Sequence, residues 1–462
     1  MNIRPRDRDA VIAALRAGVV PKVGQQLIQV GRSKEIEALL AGIERIAAGG
    51  SLFRLVIGEY GSGKTFFLNL VRAMALEKKL VVANADLNPD RRLHASGGQA
   101  RSLYAELMKS LATRTRPEGG ALGSVVEKLV SGLAAGASQN VPNGASQDGG
   151  ASKHTAQAIR KSLEPLAELV GGYDFVDVIV AYWRGFETHN DALQGHAVRW
   201  LRGEFATKTE ARAALGVRTI IEDTAVYDQL KVMARFTRLA GYGGLLVCLD
   251  EMVNLYKLTS GRARDANYEQ ILRILNDVLQ HPPEGLGVVM SGTPEFLYDT
   301  RRGLYSYPAL QRRLTENTFV REGLVDYTGP VLKLGSLSPE ELFVLLQKLR
   351  LVYASGDESQ QLIPDEGLTA FMTHCQRKLG ETYFRTPGTT ITSFVNLLAV
   401  LDQNRQASWR ELVGQVEVKR DQAPPLTVEE NTDTARLRSS PASQVARSSG
   451  DGDDDELASF KL

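Results

Sequence analysis

The sequence predicts an α/β fold in which a parallel sheet flanked by helices is followed by an all-helical lid domain. Up to about residue 335, apolar runs of strand length alternate with segments in which apolar residues recur at helical spacing. Beyond that point only the helical spacing continues. A glycine-rich loop joins the first apolar run to the helix that follows it.

Residues 1–50 are predicted to form helices ahead of the sheet. Residues 7–17 (DRDAVIAALRA) have apolar residues at helical spacing, and the glycines and proline of GVVPKVG end that helix. The later stretch SKEIEALLAGIERIAAG has the spacing of a second amphipathic helix.

The sheet is predicted within residues 51–335. Four apolar runs have the length and composition of buried strands: LFRLVIG, LVVANADL, GGLLVCLDE and GVVMSGTPE. Helices are expected from residue 65 to about 79, over 101–112 and over most of an insertion at about 155–240. These elements make an α/β core with helical insertions.

Three further segments differ from the core in composition. Residues 118–153 are rich in Gly, Ala, Ser, Asn and Gln, and we expect a flexible insertion there because large apolar residues are few. Residues 336–420 are predicted to form the helical lid. Residues 421–462 are rich in Pro, Ser and Asp and are predicted to be a disordered acidic tail.

The charge of the chain is divided unevenly between its body and its tail. From residue 421 onward there are nine acidic and four basic residues, so the overall charge of +1 leaves +6 on residues 1–420. A mildly basic body is compatible with DNA binding but does not establish it. No run of eighteen apolar residues and no apolar N-terminal leader occur, so we expect a cytoplasmic protein that does not enter a membrane.

The glycine-rich loop GEYGSGKT matches the pattern G-x-x-x-x-G-K-[ST], between a strand and a helix. In such a loop backbone N–H groups surround phosphate oxygens, the lysine reaches the β- and γ-phosphates, and the Thr hydroxyl ligates Mg²⁺. A glycine-rich turn without nucleotide is the structural alternative. The loop therefore predicts binding of ATP and Mg²⁺ by Gly58, Gly61, Ser62, Gly63, Lys64, Thr65 and Phe66.

A second candidate group is the acidic pair that ends the run LLVCLDE. We expect Asp250 to hold Mg²⁺ from the carboxyl end of a strand adjacent to the strand before the phosphate loop. Glu251 is then placed to accept a proton from the attacking water. A solvated strand end would look similar, but the combination with the phosphate loop favours a catalytic pair.

Polar and basic residues further along the chain are weaker candidates. Ser291 or Thr293 in GVVMSGTPE is able to bond the γ-phosphate or the water, and Thr293 is preferred; a plain turn is the alternative. Arg312 or Arg313 is a candidate for an arginine that reaches a neighbouring subunit's site, since arginine supplies planar, delocalised charge.

These motifs, with the helical lid, resemble AAA+ ATPases of the origin-recognition and STAND-like branch. The segment AALRAGVVPKVGQQLIQVGRSKEIEALL resembles the N-terminal signature of the BREX ATP-binding family, BrxC/BrxD, and the likeness covers roughly residues 8–405. The resemblance implies that Gly31 and Arg32 lie beside the adenine and ribose. It also implies a nucleotide-touching lid sensor at Arg385 and Pro387, although this arginine precedes TPG and does not lie within the helix.

The resemblance implies ATP-dependent work in phage defence or DNA maintenance, on DNA or as loader or regulator of a helicase partner, by a homo-oligomer. In the residues themselves, TKTEARAALGVRTII (207–221) resembles the start of a helix-turn-helix, although an Ala-rich core helix with a Gly cap has the same pattern. Two other hypotheses remain open: a STAND-like ATP-dependent signalling switch, and a nucleotide-bound scaffold with little turnover.

Overall fold

The computed structural model describes residues 3–139, 150–320, 325–380 and 387–416. The predicted acidic tail, 421–462, lies outside these residues. Five strands are present in the described part: β1 Leu52–Ile57, β2 Val81–Asp86, β3 Leu245–Asp250, β4 Leu286–Gly292 and β5 Val331–Lys333.

Helices make up most of the rest. Before and within the sheet they are α1 Pro5–Arg16, α2 Gln25–Ile28, α3 Ser33–Ala47, α4 Lys64–Glu77 and α5 Gln99–Ser110. The insertion holds α6 Leu122–Gln139, α7 Gly150–Ser162, α8 Glu164–Ala167, α9 Gly172–Glu187, α10 Asp191–Leu201 and α11 Lys208–Leu215. The core resumes with α12 Val226–Leu239, α13 Val253–Tyr256, α14 Gly261–Gln280, α15 Pro294–Tyr298 and α16 Pro308–Leu314. The lid holds α17 Pro339–Tyr353, α18 Asp365–Leu379, α19 Pro387–Gln403 and α20 Trp409–Gln415, and short 3₁₀ turns occur at Asp223–Ala225, Leu304–Ser306 and Glu358–Gln360.

The sheet is entirely parallel, with the strand order β2-β3-β4-β1-β5. The predicted α/β class and the four predicted strands are confirmed. The predicted position of the acidic pair was wrong in one respect, because β4 lies between β3 and β1, so Asp250 does not end a strand next to the phosphate-loop strand. β5 was not predicted, since a three-residue strand is too short to show a period.

Helices pack against both faces of the sheet, as the strand residues show by alternating between two hydrophobic clusters. Phe53 and Leu55 of β1 contact the cluster that holds α5, α12, α14 and the insertion. Leu52 and Val56 contact the cluster formed with α3 and α4. This alternation is the period-2 pattern of a strand buried on both sides.

Part of the segment predicted to be flexible is an ordered helix. The sequence predicted a flexible insertion over about 118–153, but residues Leu122–Gln139 form α6. The apolar side chains of α6 recur at helical spacing and are buried in the cluster that also holds α9: Leu122, Val125, Val126, Leu129 and Val130. Few large side chains are therefore sufficient to anchor this helix when they share one face. Residues 140–149 lie outside the described part.

The candidate helix-turn-helix is not formed. Helix α11 ends at Gly216, whose φ of 76° is the left-handed conformation of a glycine cap. The residues that follow, 217–222, form neither helix nor strand, and Val217 and Ile221 are buried in the core. The Asp174 carboxylate fixes this segment by accepting from the Thr219 backbone N–H at 2.7 Å. Of the alternative interpretation, a core helix with a glycine cap, the cap is present, but Ala211 is the one buried residue of this helix.

The N-terminal helices α1 and α2 pack on the lid and not on the sheet. Val11, Leu15 and Ile28 are buried in one cluster with the apolar side chains of α17, α18 and α19. The Thr392 hydroxyl of α19 donates to the Leu15 carbonyl at 2.9 Å. The region predicted as N-terminal helices, 1–50, is thus divided: α1 and α2 pack with the lid, whereas α3 packs on the sheet.

Among the described residues, no helix combines the length and apolarity that crossing a membrane requires.

Candidate functional site

The predicted phosphate loop has the backbone that its glycines allow. β1 ends at Ile57, and α4 begins at Lys64 after Gly61 and Gly63, whose φ angles of 74° and 84° favour glycine. At Gly58 a Cβ would lie 2.5 Å from Ser62 Oγ, so only glycine lets the two ends of the loop approach. The loop therefore presents the N-terminus of α4 directly above the end of β1.

Lys64 lies folded against this loop. Its ammonium group donates to the Gly58 carbonyl at 3.0 Å and to the Glu59 carbonyl at 2.9 Å. Burial lowers the pKa of Lys64, and the nearby charges of Asp250 and Glu251 act in the opposite direction. A desolvated ammonium held over a loop of backbone amides suits a polyanionic ligand.

Thr65 and Asp250 join the loop helix to the end of β3. The Thr65 hydroxyl donates to Asp250 Oδ2 at 2.7 Å, although the two residues are 185 positions apart. The other carboxylate oxygen accepts from the Glu251 backbone N–H at 2.8 Å and from the Ser291 hydroxyl. Asp250 is 6% exposed, so these bonds stabilise a nearly buried carboxylate.

This pair fits a magnesium ion held largely by a ligand's phosphates. A hydroxyl and a carboxylate oxygen are donors that Mg²⁺ accepts, and this ion commonly takes one or two carboxylates with phosphate oxygens and waters. The described part of the chain holds no group of three or more His, Cys, Asp and Glu side chains suited to a metal. Thr65 and Asp250 are thus candidate ligands only together with a phosphate.

Glu251 has an unusual backbone. Its φ of 58° is in the left-handed region, which is uncommon for a residue that is not glycine and is often found at functional sites. Burial raises the pKa of Glu251, the neighbouring Asp250 charge raises it further, and Lys64 lowers it. The side chain therefore combines a constrained position with a carboxyl group that holds a proton more tightly than usual.

A third carboxylate, Asp86, lies at the same edge and was not predicted. It ends β2 and pairs in register with Asp250 of β3. Loss of solvent and the charge of Asp250 raise the pKa of Asp86. The signal was present, because LVVANAD is a predicted strand that ends in an acidic residue, as LLVCLD does.

The two candidates at the end of β4 have different surroundings. The Ser291 hydroxyl is buried and bonds Asp250, so it belongs to the carboxylate's hydrogen-bond set. The Thr293 hydroxyl oxygen is buried without a hydrogen-bond partner among the described residues. An unpaired buried hydroxyl costs stability, so such a group often has a ligand or water as its partner.

A cavity of about 800 Å³ lies between the phosphate loop, the N-terminal segment and the lid. It is lined by ten of the predicted residues: Gly31, Arg32, Gly61, Ser62, Gly63, Lys64, Thr65, Phe66, Glu251 and Pro387. Gly58, Asp250 and Thr293 are not among the lining residues. Arg385 lies outside the described residues.

The apolar wall of the cavity was largely missed by the sequence analysis. It is formed by the segment Gly18–Pro21, by Val30 and Ile36, and by Leu337 and Ile391 from the lid. The proline and glycines of GVVPKVG were interpreted only as helix breakers. These residues line the cavity together with lid residues more than 300 positions away, and no local pattern in the sequence indicates this.

The two arginines predicted to reach a neighbouring subunit's site lie on α16, which follows β4 and precedes β5 along the chain. Arg312 is exposed, whereas Arg313 donates to the Ala309 carbonyl of its own helix at 3.0 Å. Neither lines the cavity of its own chain.

Comparison with known proteins identifies the family. No curated protein matches the chain. The family model described as BREX system ATP-binding protein BrxC/D matches residues 3–417, from the N-terminal helix through the sheet to the end of the lid. The chain belongs to this family of BREX system ATP-binding proteins.

Proposed function

We propose that this protein hydrolyses ATP with Mg²⁺ and uses the reaction in phage defence. The observation that carries the proposal is the 2.7 Å hydrogen bond between Thr65 and Asp250. It brings the first turn of the phosphate-loop helix to the carboxyl end of β3, where Glu251 follows directly. Binding and proton transfer groups therefore face one cavity, as an ATPase needs.

The triphosphate is bound by the loop. Backbone N–H groups of Gly61, Ser62 and Gly63 and the N-terminus of α4 favour phosphate oxygens, and the ammonium of Lys64 exchanges its two carbonyl partners for phosphate oxygens. Thr65 and Asp250 would hold Mg²⁺. When bound, this ion neutralises charge on the β- and γ-phosphates.

Glu251 accepts the proton of the attacking water. Its constrained backbone fixes the carboxylate at the cavity wall, and its raised pKa makes it a stronger base than an ordinary glutamate. The buried hydroxyl of Thr293 is a second candidate for contact with the water or the γ-phosphate. Asp250 orients Glu251 and Ser291, because its carboxylate accepts from the Glu251 N–H and from the Ser291 hydroxyl.

The adenine fits the apolar half of the cavity. An aromatic base binds favourably against apolar side chains. Three parts of the chain supply such side chains to this cavity: Val20, Pro21, Ile36, Leu337 and Ile391. Pro387 lines the same cavity, which supports its proposed place beside the nucleotide.

The work done with ATP is proposed to act on DNA or on a helicase partner, within a homo-oligomer. The charge of +6 on residues 1–420 supports an acidic partner such as DNA. The exposed Arg312 on α16 supports completion of a neighbouring subunit's site by an arginine, with Arg313 as the other candidate.

The test is ATP turnover and particle mass of the purified protein, with and without single- and double-stranded DNA. We expect DNA to stimulate turnover and ATP to increase the particle mass. Lys64→Ala should weaken ATP binding. Glu251→Gln should retain ATP and lose turnover. Equal turnover in wild type and Glu251→Gln would remove Glu251 as the base.

A STAND-like switch is the second candidate, and the closure of one cavity by both the loop and the lid favours it. That hypothesis predicts very slow turnover together with ATP-dependent assembly. A nucleotide-bound scaffold predicts instead that Glu251→Gln leaves function unchanged. Turnover measured with and without DNA separates both from the main proposal.

A further inference from the structure

The chain crosses twice between the sheet domain and the lid. In the first crossing, Ile28 packs with the lid cluster and Leu39 of α3 with the sheet cluster. In the second crossing, Leu334 packs with the sheet cluster and Leu337 with the lid cluster. Val30 still packs with the lid cluster and Ile36 already with the sheet cluster, so a change in the angle between the two domains would occur at residues 31–35 and 335–336.

One guanidinium group contacts both crossings and the phosphate loop. Arg32 lies in the first crossing, directly before α3. Its Nη2 donates to the Ser62 carbonyl of the phosphate loop at 2.5 Å and to the Gly335 carbonyl of the second crossing at 3.3 Å. The loop and the hinge of the lid thus share a single donor nitrogen.

The surroundings of Arg32 hold it in this place. Its φ of 60° is left-handed, and burial lowers its pKa, while the carboxylates of Glu35 and Glu341 raise it. Glu341 belongs to the first turn of lid helix α17, where it accepts from the Ser338 backbone N–H at 2.9 Å. At Gly31 a Cβ would lie 2.2 Å from Glu341 Oε1, so the two domains touch closely at this point.

We propose that Arg32 is a positioning residue that couples the state of the phosphate loop to the orientation of the lid. This inference rests on the proposed function, because ATP is the ligand that moves the loop. A shift of the Ser62 carbonyl on phosphate binding changes its bond to Nη2, and the same nitrogen restrains Gly335. The role differs from the contact with adenine and ribose that family resemblance implies for this arginine.

The test uses Arg32→Asn in the full chain, since asparagine tolerates left-handed backbone and removes the guanidinium. Lys34→Asn is the matched control, because Lys34 is an exposed cation two residues further along. Hydrogen exchange is measured over residues 334–342 with and without ATP, and affinity is measured with a fluorescent ATP analogue.

Without nucleotide, we expect Arg32→Asn to exchange about tenfold faster over 334–342, as loss of a hydrogen bond from a charged donor implies. ATP should slow this exchange in wild type and in Lys34→Asn. In Arg32→Asn, ATP should bind within about threefold of the wild-type affinity but give no added protection, since the bridge from Ser62 to Gly335 is missing.

Two results overturn the inference while the proposed function stands. One is equal ATP-dependent protection in wild type and Arg32→Asn. The other is loss of ATP binding in Arg32→Asn as complete as in Lys64→Ala, which would make Arg32 a nucleotide contact. A wild-type chain that binds no ATP overturns the proposed function. The contacts of Arg32 with Ser62 and Gly335 are then tested without nucleotide. Equal hydrogen exchange over 334–342 in wild type and Arg32→Asn would overturn the inference.

Discussion

Ser291 and Thr293 lie two positions apart at the end of β4. We expect loss of the Ser291 hydroxyl to lower stability and loss of the Thr293 hydroxyl to lower activity. The Ser291 hydroxyl bonds the buried carboxylate of Asp250, whereas that of Thr293 is buried without a partner among the described residues. Ser291→Ala therefore removes a hydrogen bond from the folded protein. Thr293→Val replaces an unpaired hydroxyl by a methyl group of similar size.

The structure sets the size of each effect. A hydrogen bond to a charged group contributes about 1.5–3 kcal/mol, so we expect Ser291→Ala to lower the free energy of unfolding by that amount. Asp250 keeps its bonds to Thr65 and the Glu251 N–H, which places the loss towards the lower end. Thr293→Val should change stability by less than about 0.5 kcal/mol, because no bond in the folded chain is lost.

The catalytic effect should fall on Thr293. If its hydroxyl bonds the attacking water or the γ-phosphate, Thr293→Val lowers kcat by about 10²-fold while the affinity for ATP changes little. Stability is measured by urea unfolding without nucleotide, and kcat by steady-state turnover at saturating ATP.

A valine variant with wild-type kcat would refute the assignment of Thr293 to the reaction. A stability loss in Thr293→Val equal to that in Ser291→Ala would show that the Thr293 hydroxyl has a structural partner. Either result would favour Ser291, the other residue that the sequence left open, for contact with the water or the γ-phosphate.

Three further outcomes are expected. Glu251→Gln should lower kcat by at least about 10²-fold and retain ATP binding, measured by turnover and nucleotide titration. The pKa of Glu251 is raised, so as pH falls its charged form is lost, and kcat declines, at a higher pH than for an ordinary glutamate. The pKa of Lys64 is lowered, so as pH rises its charge is lost, and ATP affinity declines, at a lower pH than for an ordinary lysine. Leu15→Ala should lower the free energy of unfolding of the lid by about 2–5 kcal/mol, measured by urea unfolding. Arg6→Ala, on the exposed side of the same helix, should have little effect. Equal effects of the two substitutions would contradict the packing of α1 on the lid.

The parts of the site that the sequence predicted are those that local rules determine. The loop from Gly58 to Thr65 folds as its glycines require, and a continuous apolar run ends at Asp250, which Glu251 follows. Strand order is not local, which is why β3 was expected beside β1 although β4 lies between them. Asp86 was not predicted as a site residue for the same reason, because it lies beside Asp250 only through the pairing of β2 with β3.

Composition alone misled the prediction for α6. The segment has many Gly, Ala and Ser residues, but Leu122, Val125 and Leu129 recur at the spacing of one helix face. The contacts of Arg32 were beyond any pattern, because its partners Ser62 and Gly335 are 30 and 303 positions away. The sequence thus predicts the loop and the acidic pair, but not the wall and hinge that complete them.

The packing of α1 on the lid also constrains how the chain acquires its structure during synthesis. The apolar face of α1 leaves the ribosome early, while Thr392, which bonds Leu15, is made 377 positions later. Until α17 and α19 are made, that face lacks its partners in the lid. Slow translation or premature termination near residue 330 should therefore increase aggregation through the first helix.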